Sequence, residues 1–195
     1  MSEKKGYSMI VLAGGRSSRM GRDKSDLIYR EQTFLDIQIE KGRKLGIEDI
    51  LVSGYKGDGC AGRLVMDRFA ERGPLGGLEA CLRQAVHGRC LVVSVDTPLL
   101  SVSELQGLLE ADRETAAPAT LLCHGDRLEP LMGVYSVDLA DAMAAALAAG
   151  NGSVLALLRK EGYGVYRSAG DEAQFQNINE RAQYEKLLRR DGITH

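Results

Sequence analysis

Between Leu12 and Lys24 the chain reads LAGGRSSRMGRDK, directly after the apolar run Met9-Ile10-Val11. Two adjacent glycines are followed by Arg16, Arg19, Arg22 and Lys24. Glycine has no Cβ, so backbone can approach a ligand closely. Consecutive N–H groups in such a turn form a concave anion site, and guanidinium and ammonium groups complement phosphate oxygens. The chemistry this predicts is polyphosphate binding, most simply of a nucleoside triphosphate; the plainer alternative is a glycine-rich surface turn with solvated charges. Two common phosphate loops are excluded by spacing. A P-loop requires G-x-x-x-x-G-K-[ST], but Gly21 is separated from Lys24-Ser25 by Arg22 and Asp23. The G-x-G-x-x-G fingerprint fails because Gly14 and Gly15 are adjacent.

Three further segments carry candidate chemistry. Asp96-Thr97-Pro98 follows the apolar run Leu91 to Val95. A carboxylate at the end of a buried strand can hold Mg²⁺ against phosphate oxygens, because Mg²⁺ takes few carboxylates beside water and substrate phosphates; equally, Asp96 can serve only as a turn residue. Pro98 restricts Thr97 to an extended backbone. Arg72-Gly73-Pro74-Leu75-Gly76-Gly77 opens a helix, and a helix N-terminus with small residues admits anions and a close-lying base or sugar. Asn177-Ile178-Asn179 precedes the last helix, with Asn179 placed as its N-cap. Glu129-Pro130-Leu131 reads as a cleft turn or as the start of a strand.

Composition removes several other chemistries. The three histidines, His87, His124 and His195, are scattered and form no metal-ligand pattern. Cys60, Cys81, Cys90 and Cys123 lack close spacing and read as reduced thiols of a cytoplasmic protein. A net charge of −2 gives no basic field to recruit nucleic acid or acidic membrane. No apolar run approaches the roughly 20 residues that span a bilayer, and the first strand begins too soon for a secretory signal. With 195 residues and 44% hydrophobic side chains, the expectation is one soluble domain over residues 1–195.

The elements that must position these groups alternate. Strands are predicted at 9–12, 50–52, 63–66, 91–95, 119–123, 131–135 and 163–167. Helices are predicted at 32–45 (closed by Gly46), from Pro74 through Leu75, Leu78, Leu82 and Val86, at 101–111 behind a Ser101/Glu104 capping box, and at 137–149, 153–161 and 180–190. The unalternating 91–95 run suits a central parallel strand buried on both faces. Repeated β-α-β order implies a three-layer α/β/α fold around a mostly parallel sheet, with ligands beyond the carboxyl ends of its strands.

In this order, LAGGRSSRMGRDK, GPLGG at Gly73–Gly77, DTP at Asp96–Pro98, EPL at Glu129–Leu131 and NIN at Asn177–Asn179 resemble the molybdenum cofactor guanylyltransferases over nearly the whole chain. The resemblance implies a Rossmann-like nucleotidyltransferase that joins GMP from GTP to the terminal phosphate of molybdopterin and releases pyrophosphate. Carried over by position, Leu12, Ala13, Gly14 and Gly15 meet guanine and ribose, with Gly76 beside them. Lys24 and Arg19 hold the triphosphate, and Asp67 contacts the nucleotide. Asp96 meets both nucleotide and Mg²⁺, and Asn177 and Asn179 face the pterin. Where the family's typical member has a nucleotide-contacting asparagine, this chain has Ser53, which keeps a hydroxyl but not the amide's paired donor and acceptor. The implied partners are GTP and molybdopterin as substrates, with proteins that insert molybdenum and deliver the finished cofactor.

Other readings stand beside this one. Cytidylyltransferases of the same cofactor usually carry LAAG, where Gly14-Gly15 here favours guanine. Sugar-phosphate nucleotidyltransferases share LAGG but continue G-T-R. A non-catalytic nucleotide-binding or cofactor-chaperoning module would keep the motifs without turnover.

Overall fold

The structure, a computed structural model, describes residues 6–14, 24–57, 59–69 and 73–193. In chain order its elements are β1 (Ser8–Leu12), β2 (Ile28–Tyr29), β3 (Gln32–Thr33), α1 (Phe34–Lys44), β4 (Ile50–Ser53), β5 (Arg63–Val65), α2 (Pro74–Gln84), β6 (Arg89–Ser94), α3 (Val102–Arg113), β7 (Ala119–His124), β8 (Arg127–Ser136), α4 (Leu139–Ala148), α5 (Val154–Glu161), β9 (Gly164–Ser168) and α6 (Arg181–Arg190). The main sheet has the order β5-β4-β1-β6-β8-β7-β9. β5, β4, β1 and β6 pair in parallel, as do β7 and β9; β8 alone runs against its neighbours.

The three-layer arrangement follows from side-chain alternation. On one face Met9 and Val11 of β1 pack with Phe34 and Ile39 of α1, Leu105 and Leu108 of α3 and Leu187 of α6. On the other, Ile10 and Leu12 pack with Leu75 and Leu78 of α2, Met143 of α4 and Leu158 of α5. Every residue of β1 is buried, as a strand covered on both sides requires. Hydroxyl caps start three helices: Thr33, Ser101 and Ser153 accept from the N–H groups of Asp36, Glu104 and Ala156. Pro74 opens α2, and α1 stops just before Gly46, whose φ is 74°.

Several expectations are corrected. β6 is buried but has a parallel neighbour only in β1, because Gly125-Asp126 joins β7 to β8 in a tight hairpin that lays β8 antiparallel beside it. Glu129-Pro130-Leu131 therefore lie inside β8, at a register shift opposite Leu121 and Leu122. Proline has no N–H to donate, so it is tolerated at such an irregularity. Val86 falls beyond the end of α2 and is 73% exposed. Half of the Ser101/Glu104 box forms; the Glu104 carboxylate instead accepts from the Tyr166 hydroxyl at 3.2 Å. The reciprocal box is that of Glu180 and Gln183, so Glu180, not Asn179, caps α6. The small β2–β3 hairpin was not expected. Among the described residues no helix is long and apolar enough to cross a membrane. The four cysteines are free thiols.

Candidate active site

Four parallel strands end side by side in the order β5, β4, β1, β6. The residues that follow them are Asp67, Gly54, Ala13-Gly14 and Asp96, so the groups singled out in the sequence share one edge of the sheet. Their backbones are tied together. Ser53 O accepts from Ala13 N–H at 2.8 Å and Gly14 N–H at 3.2 Å, and Leu12 O accepts from Val95 N–H at 3.0 Å. A Cβ on Gly54 would lie 2.4 Å from Gly14 Cα, and Gly54 has φ 81°. This contact needs glycine at both strand ends.

The basic loop is anchored at its base. Ser25 Oγ donates to Ala13 O at 3.3 Å, which brings Lys24 back to the end of β1. Lys24 Nζ donates to Asn179 Oδ1. Gly15, Arg16, Arg19 and Arg22 lie outside the described residues.

On the other side of β1, the partly buried Asp96 accepts at its main-chain carbonyl from Ile178 N–H at 2.8 Å. Ile178 is fully buried and pins the Asn177–Asn179 segment onto the Asp96 turn. Lys24, Asn179 and Asp96 are thereby brought into one constellation. Among the described residues the Asp96 carboxylate makes no hydrogen bond or ion pair, and no cluster of three or more His, Cys, Asp or Glu side chains could hold a metal. A single free carboxylate beside a phosphate site suits Mg²⁺, which is completed by water and substrate oxygens, and does not suit a caged metal.

Ser53, a nucleotide-contact candidate, has a buried side chain, at 3% exposure, and its hydroxyl donates to Asp67 Oδ1 at 2.7 Å. Asp67 itself is exposed. Gly77, in the first turn of α2, packs against this pair: a Cβ there would lie 2.2 Å from Ser53 Oγ and 3.2 Å from Asp67 Oδ1. Gly76 is buried in the same turn.

Sequence reading missed the support beneath the Asp96 turn. Gln38 and Lys41 of α1 are both buried, at 0% and 7% exposure. Gln38 Nε2 donates to Ser94 O at 2.8 Å and Thr97 O at 3.0 Å; Lys41 Nζ donates to Gln38 Oε1 at 3.0 Å and Pro98 O at 2.9 Å. Burial pushes the Lys41 ammonium down to about 7. The available signal was helical phase: both residues fall on the stripe of Phe34, Leu35, Ile39 and Gly42, which is otherwise apolar or small.

A cavity of about 630 Å³ adjoins the Asn177–Asn179 segment and is lined by His124, Arg127, Phe175, Asn177, Asn179 and Gln183 among others. The His124 ring stacks on Phe175 at 4.4 Å between centroids. Glu129 sits behind this wall, its Oε1 2.7 Å from Arg127 Nε and 3.4 Å from His124 Nε2.

The family model for the MobA-like NTP transferase domain matches residues 9–164. The chain belongs to that family. It is 32% identical over 194 residues to a molybdenum cofactor guanylyltransferase of Xanthomonas euvesicatoria, covering 96% of this chain and 97% of the relative. A molybdenum cofactor guanylyltransferase of Syntrophotalea carbinolica is 29% identical over 93% of this chain and 90% of its own length. In solved structures the same fold appears in molybdopterin-guanine dinucleotide biosynthesis protein A of Archaeoglobus fulgidus, with a TM-score of 0.81 at 20% identity, covering 96% of this chain and all of that one. Membership of that family makes this a nucleotidyltransferase, and its strand-end constellation lies within the matched region, apart from Asn177 and Asn179.

Proposed function

We propose that this protein transfers GMP from GTP to the terminal phosphate of molybdopterin, releasing pyrophosphate and forming the guanine dinucleotide cofactor. The observation that carries this reading is the convergence of Lys24, Asn179 and Asp96 at adjoining strand ends, beside a cavity on the Asn177–Asn179 side. Full-length relatives named for this activity support it.

The nucleotide would lie over Leu12, Ala13 and Gly14, with Gly15 and Gly76 at its margins. Asp67, held by Ser53, would read the base or ribose. Lys24 and Arg19 would hold the phosphates, and Asn177 and Asn179 would face the acceptor in the 630 Å³ cavity. Asp96 would hold Mg²⁺, which would supply charge neutralisation at the phosphate oxygens. The acceptor phosphate oxygen attacks the α-phosphorus in line. A new P–O bond forms, the α–β bridging bond breaks, and its electron pair leaves with pyrophosphate. The chain's tasks are alignment and charge stabilisation: Lys24 bridges from the donor phosphates to Asn179, so that both reactants are referred to one point. A phosphate monoester is already anionic near neutral pH, so no general base is required. All of this chemistry is assigned to a single domain in the cytoplasm.

The test is incubation with GTP, Mg²⁺ and molybdopterin, followed by mass analysis of the product. A species heavier than the acceptor by one GMP unit supports the reading. Failure to form it, or preferential addition of CMP when CTP is offered, overturns it.

A further inference from the structure

The two buried polar side chains of α1 do not reach any of the strand-end groups themselves. Lys41 and Gln38 spend every hydrogen bond recorded for their side chains on each other and on the main chain of residues 94–98. Three carbonyl acceptors of the turn, those of Ser94, Thr97 and Pro98, are met by these two residues. Thr97 adds a hydrogen bond of its own from Oγ1 to Ser94 O at 3.0 Å. A fully buried polar pair within an apolar stripe is costly unless every partner is satisfied, and a hydrophobic pair would fill the same volume with less desolvation. Holding the turn gives the polarity a purpose.

We infer that Lys41 and Gln38 are positioning residues that fix the Asp96 turn from beneath, setting where its carboxylate meets a divalent cation. The metal part of this inference rests on the proposed nucleotidyl transfer; the mechanical part does not. Neither side chain touches substrate. Both act through the backbone: Gln38 clamps the residues on either side of Asp96, and Lys41 locks the Gln38 amide in the orientation that donates. Because Lys41 offers a donor to each of two acceptors, even the neutral amine satisfies the arrangement.

Three variants test this: Lys41→Met removes the lock, Gln38→Leu removes the clamp, and Gln38→Glu keeps a partner for Lys41 while replacing the donor with an acceptor that opposes the Ser94 and Thr97 carbonyls. Two readouts are needed, amide hydrogen exchange across residues 94–100 and the Mn²⁺ concentration that half-saturates the protein in the presence of GTP, followed by electron paramagnetic resonance. The expected result is faster exchange confined to residues 94–100, with half-saturation raised about five-fold or more, the worth of roughly one hydrogen bond. Gln38→Glu should be at least as impaired as Gln38→Leu. Unchanged exchange in that segment would overturn the inference. So would acceleration spread evenly over the sheet, or local loosening with an unchanged metal midpoint in a protein whose wild type binds Mn²⁺ with GTP. If the wild type transfers no GMP while the variants loosen the turn locally and weaken Mn²⁺, the nucleotidyl-transfer reading fails and the clamp stands.

Discussion

The Ser53 hydroxyl donates to Asp67 Oδ1 at 2.7 Å, under the bare α-carbon of Gly77. The pair links the end of β4 to the residue two places beyond β5, and it orients the exposed Asp67 carboxylate beside the glycine-lined strand ends. In the proposed function the buried serine would act through that aspartate.

That relationship predicts a weakening of nucleotide binding without loss of fold. Ser53→Ala should raise the Kd for GTP by about ten- to a hundred-fold, the net worth of a hydrogen bond to a charged group. Gly77→Ala should do at least as much, since its Cβ would displace the Ser53 hydroxyl. Isothermal titration against GTP checks both, and an unchanged Kd would remove Ser53 and Asp67 from base recognition.

Asp96→Ala should abolish most turnover, by about 10²–10³-fold in kcat, as expected for losing a preorganised charge partner. Thermal unfolding should be little altered, because the Asp96 carboxylate has no partner among the described residues. Activity surviving within a few-fold would refute the metal assignment.

Lys24→Ala is expected to cost about 2–4 kcal/mol of transition-state stabilisation, read as kcat. Asn179→Ala should lose less, about ten-fold, because Lys24 keeps its charge and loses only its tether. A larger loss in the asparagine variant would mean that Asn179 contacts the reacting groups itself.

A stability prediction concerns the opposite end of the sheet. Burial alone would raise the Asp49 carboxyl, but hydrogen bonds from Ser8 and the Val86 N–H, with the Arg63 guanidinium 2.9 Å away, outweigh it and hold it below the usual carboxylate range. A depressed carboxyl stabilises the fold above its unfolded value, and that contribution is lost as the pH falls through the folded one. Asp49→Asn should therefore lower the urea midpoint most above about pH 4 and converge on the wild type below it. A pH-independent difference would contradict this origin.

Much of this molecule was legible because local signals agreed with the global fold. The largely apolar run at 91–95, the hydroxyl cap at Ser101 and the Pro74 helix start all sit where expected. Asp96 and the Asn177–Asn179 segment, distant in sequence, are in contact. What escaped notice was set by tertiary pairing. The Gly125-Asp126 hairpin decides that β8 runs antiparallel, and apolar content alone does not encode direction. Asn179 looked like a cap by type, but Glu180 and Gln183 form a two-way box one residue later and leave Asn179 for Lys24. Lys41 is a charged residue on a helix, and only its phase on the buried stripe of α1 marks it.

The central claim is that the strand ends carry out transfer of a nucleotidyl group, not of a phosphoryl group. The most direct measurement uses GTP labelled at either the α- or the γ-phosphorus, with Mg²⁺ and molybdopterin. Label is expected on the acceptor from α-labelled GTP alone, with the γ-label recovered in pyrophosphate. Label reaching the acceptor from the γ-position, or reaching it from neither, would contradict it.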